Sequence, residues 1–388
     1  MRDYEKIRSA IIRGGTSKGV FILENELPSD PKMRDRVILS IYGGTDKRQI
    51  DGLGGADALT SKLAIVSVSS RPDADIDYTF GQVGIGTGKI DYNSNCGNIL
   101  SGVGPFAIDE GLVPLKEPYT IVRIYNTNTD CIIEAKIPVD SGKSLSTGDY
   151  MIDGVPGEGA KISLNFLDAY GSKTGKLFPT GKRKELLITE AGEFEVSIID
   201  VAAPVVFITA EQVGLKGTES PSDLSKDTLR KLENIRANAA KKLNFVSNIN
   251  NATIVTPSSP KIIIVSKAQT YSNLHGNKIN KNLIHLTARA MSMQEMHKTF
   301  PVTGGLCTAT ASKLKGTVVY DCCENSTTDE VNIGHPSGTM DFLISLNDDG
   351  ERVLLKKTVV ARTARRLMEG YAYVPKELFW DEANITKK

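Results

Sequence analysis

The pattern that most constrains the fold occurs twice: many short strand-like segments accompany one small-residue, apolar segment that starts just after a Gly-containing turn. In the first half this segment is 99–111, directly after Asn95-Cys96-Gly97-Asn98. In the second half it runs from Thr303-Gly304-Gly305 to Ala311. Both segments read as short buried helices, and Pro105 is expected to kink the first. We therefore expect an α+β protein of two related domains that face each other across a cleft.

A chain of 388 residues, 40% of them hydrophobic, is long enough to build two hydrophobic cores. The stretch 141–184 is rich in Gly, Ser and Lys and poor in long apolar runs, as interdomain connections are. We expect an N-terminal domain at 1–184, which carries Cys96, and a C-terminal domain at 185–388. Apolar spacing also predicts helices over 32–42, 223–243 (with Ser222 as its N-cap) and 283–297.

Charge and hydropathy exclude several classes of protein. The net charge is +1, so no bulk electrostatic field favours nucleic acid or an anionic membrane. No apolar run follows the polar N-terminus, and no stretch approaches the roughly 18 apolar residues of a membrane span. We expect a cytoplasmic protein that binds neither nucleic acid nor membrane. The sequence leaves the choice between a monomer and a homo-oligomer open.

The cysteines and histidines do not form a metal-binding pattern. Five cysteines are irregularly spaced, and the adjacent Cys322 and Cys323 do not make a Cys-x-x-Cys pair. Reduced thiols are the default for such a chain in the cytosol. The four histidines are scattered, so no zinc site is expected.

Cys96 is the first candidate for chemistry, because it stands where a buried helix is expected to begin. The helix dipole and the unpaired N–H groups of a first turn favour a thiolate at that position. Its neighbours Asn93, Ser94, Asn95 and Asn98 are polar, which argues against a core cysteine. The alternative is a buried structural cysteine.

Lys62 is the second candidate, since it stands where the polar turn Thr60-Ser61 enters an apolar strand. Such a lysine either extends to solvent or is partly buried, where the neutral amine is favoured. The segment Gly14-Gly15-Thr16-Ser17-Lys18-Gly19 offers backbone N–H groups to an anion, or forms a tight hairpin. His297 reads as a helix C-terminal cap or as a substrate contact.

Taken together, these motifs occur in the order of a known family over nearly the whole chain. The segments that carry the resemblance are Gly14-Gly15-Thr16-Ser17-Lys18-Gly19, Thr60-Ser61-Lys62, Asn95-Cys96-Gly97-Asn98, Gly102-Val103-Gly104-Pro105-Phe106-Ala107-Ile108, Pro301-Val302-Thr303-Gly304 and Gly334-His335-Pro336-Ser337-Gly338. The chain resembles the 2-methylaconitate isomerase family, which is similar in fold to diaminopimelate epimerase. The resemblance implies two pseudo-symmetric halves, each a curled mixed or antiparallel sheet around a central helix, with the active site between the helix N-termini.

The resemblance also implies which residues act. The epimerase pattern uses one cysteine per half, and Cys96 matches the first, although Ile99 stands where a Gly is expected. Thr303-Gly304-Gly305 occupies the place of the second, so Lys62 is the expected acid/base partner of Cys96. The implied substrate-binding residues are Thr16, Ser17, Lys18, Gly97, Asn98, Thr303, Gly304, Gly305 and Ser337. The roles of His297 and His335 stay open.

The activity implied by the resemblance is an allylic proton shift on a small unsaturated di- or tricarboxylate, without metal or cofactor. The motifs are most similar to those of members that interconvert 3-methylitaconate and 2,3-dimethylmaleate in anaerobic nicotinate fermentation. The first alternative is isomerisation of 2-methylaconitate, whose extra carboxylate requires a cationic contact that the sequence does not locate. An amino-acid racemase is disfavoured by the missing second cysteine. The remaining alternative is a non-catalytic carboxylate-binding protein.

Overall fold

The computed structural model describes residues 3–93, 95–167, 169–323, 328–350 and 352–380. The strands of the first half are β1 (Tyr4–Gly14), β2 (Ser17–Leu23), β3 (Lys62–Val68), β4 (Ile76–Val83), β5 (Ile90–Asp91), β6 (Tyr119–Asn126), β7 (Cys131–Asp140), β8 (Lys143–Ser144), β9 (Tyr150–Met151), β10 (Glu158–Gly159) and β11 (Ile162–Phe166). Those of the second half are β12 (Glu185–Thr189), β13 (Gly192–Asp200), β14 (Pro204–Thr209), β15 (Lys261–Lys267), β16 (Tyr271–Ser272), β17 (Lys278–Ile279), β18 (Leu286–Ser292), β19 (Glu295–Met296), β20 (Glu330–His335), β21 (Gly338–Asp348), β22 (Val353–Arg362) and β23 (Ala364–Pro375).

The α-helices are α1 (Pro31–Tyr42), α2 (Gly97–Leu100), α3 (Val103–Asp109), α4 (Lys226–Lys242), α5 (Ala252–Val255), α6 (Val302–Ala311) and α7 (Val318–Cys322). Short 3-10 turns lie at Glu24–Glu26, Glu211–Val213, Pro221–Asp223, Ile249–Asn251, Lys281–Leu283 and Lys376–Phe379. No helix in the described part of the chain is long and apolar enough to cross a membrane.

The same order of strand pairing occurs once in each half. In the first half β1–β2 is antiparallel, β2–β3 parallel, β3–β4 antiparallel, β4–β6 parallel, and β6–β7 and β7–β11 antiparallel. The series β13–β14, β14–β15, β15–β18, β18–β20, β20–β21 and β21–β22 repeats these directions in the second half. The α+β architecture of two pseudo-symmetric halves is therefore confirmed.

Backbone ladders also join the two halves. Strand β23 pairs antiparallel with β1 along its length, and β22 pairs with β11. The end of the chain therefore returns to the sheet that the N-terminal strands build. Any division near residue 184 is crossed by these ladders, and the boundary that we place there stays a prediction.

Each half wraps its sheet around one central helix, as the small-residue segments predict. In the first half α2 and α3 are buried from Gly97 to Ile108, and in the second every residue of α6 is buried. The helical path of the first half breaks at Ser101–Gly102 and not at Pro105. Pro105 is the third residue of α3, where a missing N–H costs no intrahelical hydrogen bond.

Each half also places one outer helix in its first parallel crossover: α1 connects β2 to β3, and α4 connects β14 to β15. The Asp30 side chain caps α1 by accepting from Met33 N at 2.8 Å. The predicted start of α4 is wrong by three residues, because its N-cap is Ser225 and not Ser222. The segment Pro221–Asp223 forms a separate 3-10 turn.

The predicted helix over 283–297 is wrong, since the segment forms β18 and β19. Its Leu, Ala, Arg and Met residues favour helix, but β18 is buried on both faces between β15 and β20. The two strands join through Met293 and Gln294, whose φ angles are 52° and 64°. Tight hairpins usually place Gly or Asn at such positions, so the sequence carries no visible turn signal.

Candidate active site

The amino ends of the two central helices meet. A Cβ atom on Gly97 would lie 2.5 Å from Val302 Cγ1, so only glycine permits this approach. A small cavity lies beside the contact and takes residues from both halves. Its lining residues are Lys62, Phe80, Gln82, Asn95, Cys96, Gly97, Asn98, Ser258, Lys261, Ser292, Met293, His297, Pro301, Val302 and Thr303.

Cys96 is the N-cap residue of α2 and lines this cavity. Its backbone is extended (φ −126°), and its side chain is half-buried. Behind it, Asn126 Nδ2 donates to Asn95 Oδ1 at 3.0 Å. Because the Asn95 oxygen accepts this hydrogen bond, its amide N–H₂ group is the part of the side chain that can still donate.

Lys62 is the first residue of β3 and is only 8% exposed. Its Nζ donates to Gln82 Oε1 at 2.7 Å and lies 5.4 Å from the centre of the Phe80 ring. Gln82 in turn donates from Nε2 to the Ser61 and Ala58 carbonyls at 3.1 and 3.3 Å, which fixes its oxygen toward Lys62. The Lys62 side chain is therefore buried and does not extend to solvent.

Lys261 also lines the cavity, and sequence reasoning missed it. It is the first residue of β15, the position that Lys62 occupies in β3, and it is likewise 8% exposed. Burial, followed by the positive charge of Lys62, lowers the pKa of Lys261 to about 8. A signal was present, because both lysines directly precede four apolar residues and a serine (Ser67 and Ser266).

His297 lies in the cavity wall just beyond β19, and it does not cap a helix. Its Nδ1 accepts from Thr299 N at 3.1 Å and lies 3.2 Å from the Thr299 hydroxyl. Burial and the positive charge of Lys62 lower the pKa of His297 to about 3. The ring is therefore neutral near pH 7, with its proton on Nε2, and can donate one hydrogen bond.

The Gly14–Gly19 segment forms the hairpin between β1 and β2, which closes at the pair Gly14 and Ser17. Thr16 N donates to Asn98 Oδ1 at 3.3 Å, and its hydroxyl lies 3.0 Å from that of Thr299. The Ser17 hydroxyl is buried and has no hydrogen-bond partner among the described residues, and Lys18 is half-buried. Among the described residues that line the cavity, none comes from this hairpin. The hairpin instead contacts Asn98 and Thr299 through Thr16.

The predicted binding residues in the second-half turns do not all line the cavity. Thr303 lines the cavity, and a Cβ atom on Gly304 would lie 3.6 Å from Lys261 Cδ. A Cβ atom on Gly305 would lie 2.3 Å from Cζ of the Phe342 ring, so this glycine serves close packing. The Ser337 hydroxyl donates to the Lys298 carbonyl at 2.7 Å. The binding roles of Gly304, Gly305 and Ser337 stay predictions.

His335 is fully buried beneath the second-half turns. Its Nδ1 accepts from Ser337 N at 3.2 Å, and its Nε2 lies 3.1 Å from the Thr339 carbonyl. Burial and the charges of Arg362 and Arg289 lower the pKa of His335 to about 3. The neutral ring holds the turn that carries Ser337 and lies outside the cavity lining.

The two neutral histidines predict acid destabilisation. Because the folded pKa of His297 and of His335 is about 3 and the unfolded value is about 6.5, unfolding takes up protons as the pH falls below about 6.5. The free energy of unfolding should drop by about 4 kcal/mol between about pH 8 and pH 5, about half from each ring. Urea unfolding at both pH values measures this drop. His335→Gln should remove about half of it, and an unchanged pH dependence would contradict the assignment.

A wider cleft opens the cavity to the outside. It shares Lys62, Gln82, Ser292, Met293 and His297 with the cavity and continues along the loops 56–59 and 84–91. The residues of the shared part come from β3, β4, the end of β18, the turn between β18 and β19, and the position directly after β19. Lys62 therefore lines both the cavity and the cleft, whereas Cys96 and Lys261 line the cavity and are not among the described residues of the cleft.

Solved structures place this architecture among racemases and epimerases. The crystal structure of a hydroxyproline epimerase from Agrobacterium vitis matches with a TM-score of 0.57 at 10% identity, covering 96% of this chain and 93% of that one. A methylitaconate-delta-isomerase structure matches with a TM-score of 0.82 at 45% identity, covering 98% of both chains. The fold, together with the 45% identity to a methylitaconate-delta-isomerase, places the chain among isomerases of the diaminopimelate epimerase-like fold.

Sequence comparison narrows this class to one family. The profile described as "PrpF protein" matches residues 4–375, and the chain belongs to the PrpF family. The 3-methylitaconate isomerase of Eubacterium barkeri is 46% identical over 380 residues, which cover 97% of this chain and 99% of the relative. A 2-methyl-aconitate isomerase of Shewanella oneidensis is 34% identical over 388 residues, with 96% and 97% covered. The resemblance seen in the sequence motifs is confirmed.

Proposed function

We propose that this isomerase interconverts 3-methylitaconate and 2,3-dimethylmaleate by moving one proton between the ends of an allylic system. The observation that carries the proposal is the meeting of Cys96 and Lys62 in one cavity at the paired helix ends. The similarity to the Eubacterium barkeri 3-methylitaconate isomerase supports this choice of substrate.

The reaction starts at the carbon that bears both a hydrogen and a methyl group, next to one carboxylate. A base removes that proton, and the electron pair delocalises into the carboxylate and the neighbouring double bond. A proton then adds at the terminal methylene carbon, which becomes a methyl group, and the double bond moves to the centre. One C–H bond breaks and one forms, so no electrons leave or enter the substrate.

We assign the base to a Cys96 thiolate and the acid to the Lys62 ammonium. Cys96 is half-buried at an N-cap position and faces the cavity, where a substrate carbon can approach it. Lys62 donates to the Gln82 side-chain oxygen, an acceptor that suits a protonated amine. A thiolate and an ammonium in one cavity satisfy the requirement for a positioned base and acid.

The carboxylate that gains negative charge needs hydrogen-bond donors that are already in place. The described lining of the cavity includes side chains that can donate, among them the Asn95 amide, whose oxygen accepts from Asn126, and the neutral His297, which carries its proton on Nε2. Each is held by a partner behind it, Asn126 and Thr299 respectively. Such fixed donors stabilise a transient dienolate without further reorganisation.

The second candidate substrate is 2-methylaconitate, which has one more carboxylate. It is favoured by the presence of Lys261, a cation beyond the Cys96–Lys62 pair, and by the similarity to the Shewanella oneidensis enzyme. The higher identity to the 3-methylitaconate isomerase places 3-methylitaconate first.

Proton NMR of each acid with the purified protein in D₂O tests the proposal. With 3-methylitaconate, the two methylene signals should disappear while the methyl signal of dimethylmaleate grows and one of its methyl groups gains deuterium. Turnover of 2-methylaconitate alone would replace the first substrate with the second. Ligand-induced stabilisation without turnover of either acid would indicate a binding protein, and deuterium exchange into an α-amino acid would indicate a racemase.

A further inference from the structure

We propose that Lys261 is a second substrate-binding cation, which the C-terminal half places in the cavity so that it and Lys62 together bind the two carboxylates of a dianion. The inference deepens the proposed function and rests on it for the identity of the natural substrate. It does not depend on the chemical step.

The first support is positional. Lys62 and Lys261 each begin the strand that follows the outer helix of its half, and both strands have the same burial pattern along their seven residues. Each strand pairs parallel with the preceding strand of its half, β2 or β14. The pseudo-symmetry of the fold therefore directs two lysines into one cavity from opposite halves.

The second support is that Lys261 has no anionic partner in the cavity. None of the described lining residues is Asp or Glu. Within the described ranges, the Lys261 Nζ atom has one hydrogen bond, to the Ser258 carbonyl at 3.4 Å. A buried ammonium without an ion pair is costly, and a ligand carboxylate would remove that cost.

The other charged groups around Lys261 leave room for a ligand anion. Lys62 and Arg236 add positive charge, while Cys96 and Asp91 favour the protonated lysine. The guanidinium of Arg236 is already paired with Glu233 at 2.6 Å. His297, on the turn after β19, is neutral and adds no charge.

The carboxyl group of Asp91 accepts hydrogen bonds from groups other than Lys261. Its Oδ2 accepts from the Ser258 hydroxyl at 2.7 Å, and its Oδ1 accepts from Asn93 N at 2.8 Å. Two ammonium groups thus face a cavity whose described lining contains only one potential anion, the Cys96 thiolate. A dicarboxylate matches this charge better than a monocarboxylate does.

Proton linkage follows from this arrangement. The pKa of Lys261 in the ligand-free protein is about 8, and a bound carboxylate raises it. Below that pKa the lysine is already protonated, and affinity for a dianion should not depend on its titration. Above it, binding takes up a proton, so affinity should fall by up to about tenfold per pH unit.

Isothermal titration calorimetry with maleate as the dicarboxylate and crotonate as the monocarboxylate tests the inference. The Cys96→Ala protein is used throughout, because it removes thiol titration. Titrations at about pH 9, in two buffers of different ionisation enthalpy, report the protons taken up with maleate. We expect Lys261→Met to bind maleate at least about tenfold more weakly, to change crotonate affinity less, and to take up no proton.

Lys261→Arg separates charge from structure. Arginine stays protonated, so this variant should keep more maleate affinity than Lys261→Met and also take up no proton. The control is Lys267→Met, which removes an exposed lysine from the far end of the same strand and should behave like the parent. Unchanged maleate affinity in Lys261→Met, or proton uptake that persists in both variants, would overturn the inference.

The test of the Lys261 site can be distinguished from the test of the proposed reaction. Maleate binding that depends on Lys261, in a protein that does not turn over 3-methylitaconate, would keep the cation site and reject the reaction. Turnover of 3-methylitaconate with unchanged kinetics in Lys261→Met would keep the reaction and reject the cation site. Met is close to Lys in volume and removes a desolvated charge, so the variant should fold.

Discussion

Replacing Cys96 with alanine is expected to lower kcat for 3-methylitaconate by about 10²–10⁴-fold, the usual effect of losing a positioned acid or base. The thiol is the side chain of the N-cap residue and faces the cavity, and removing it deletes the proposed base. The loss should appear in kcat more than in KM, because Lys62 and Lys261 still hold the carboxylates. Initial rates from proton NMR, together with deuterium incorporation, measure both parameters.

The matched control is Cys323→Ala, a half-buried thiol outside the cavity lining. It should retain near-parental kcat, while Cys96→Ala should keep the parental far-UV circular dichroism and melting temperature. Turnover of Cys96→Ala within about threefold of the parent would remove the thiol from the mechanism. The cavity would then have to supply its base from Lys62 or Lys261.

The sequence was sufficient for the parts of the fold that depend on local signals. Small residues after a Gly turn predicted both central helices, α2–α3 and α6, because only small side chains pack so tightly inside a sheet. The apolar segment after Cys96 predicted a thiol at a helix start, and the polar neighbours of Cys96 argued against a core cysteine. Those neighbours include Asn95, which the structure places beside Cys96 in the cavity wall.

The features that the local sequence did not settle depend on tertiary contacts. His297 reaches the cavity through a hairpin turn at Met293–Gln294 that carries no Gly, and Thr299 fixes its tautomer. Strand β18 is rich in helix-favouring residues and is a strand because neighbours pair on both sides. Lys261 was visible only by comparing the two halves with each other, since its local sequence lacks the Thr60-Ser61 motif before Lys62.

Replacing Lys62 with methionine is expected to lower kcat by about 10²–10⁴-fold as well, because the proposed acid that returns the proton is lost. Unlike Cys96, Lys62 also contributes positive charge to the cavity, so KM should rise in the same variant. Lys62→Arg distinguishes the two roles. It restores the charge and lowers KM again, but arginine does not release its proton near neutral pH, so kcat should stay low.

Cys96 and Lys62 should act as one catalytic unit, and the double variant tests this more sharply than either single variant. If the Cys96 thiolate removes the proton and Lys62 returns it, each group is useless without the other, and Cys96→Ala/Lys62→Met should lose little more than either single variant. Losses that multiply would mean that the two residues act independently, with Lys62 serving only as a charge. Recovery of kcat in Lys62→Arg would point the same way and would leave Lys261 as the group that returns the proton to the methylene carbon.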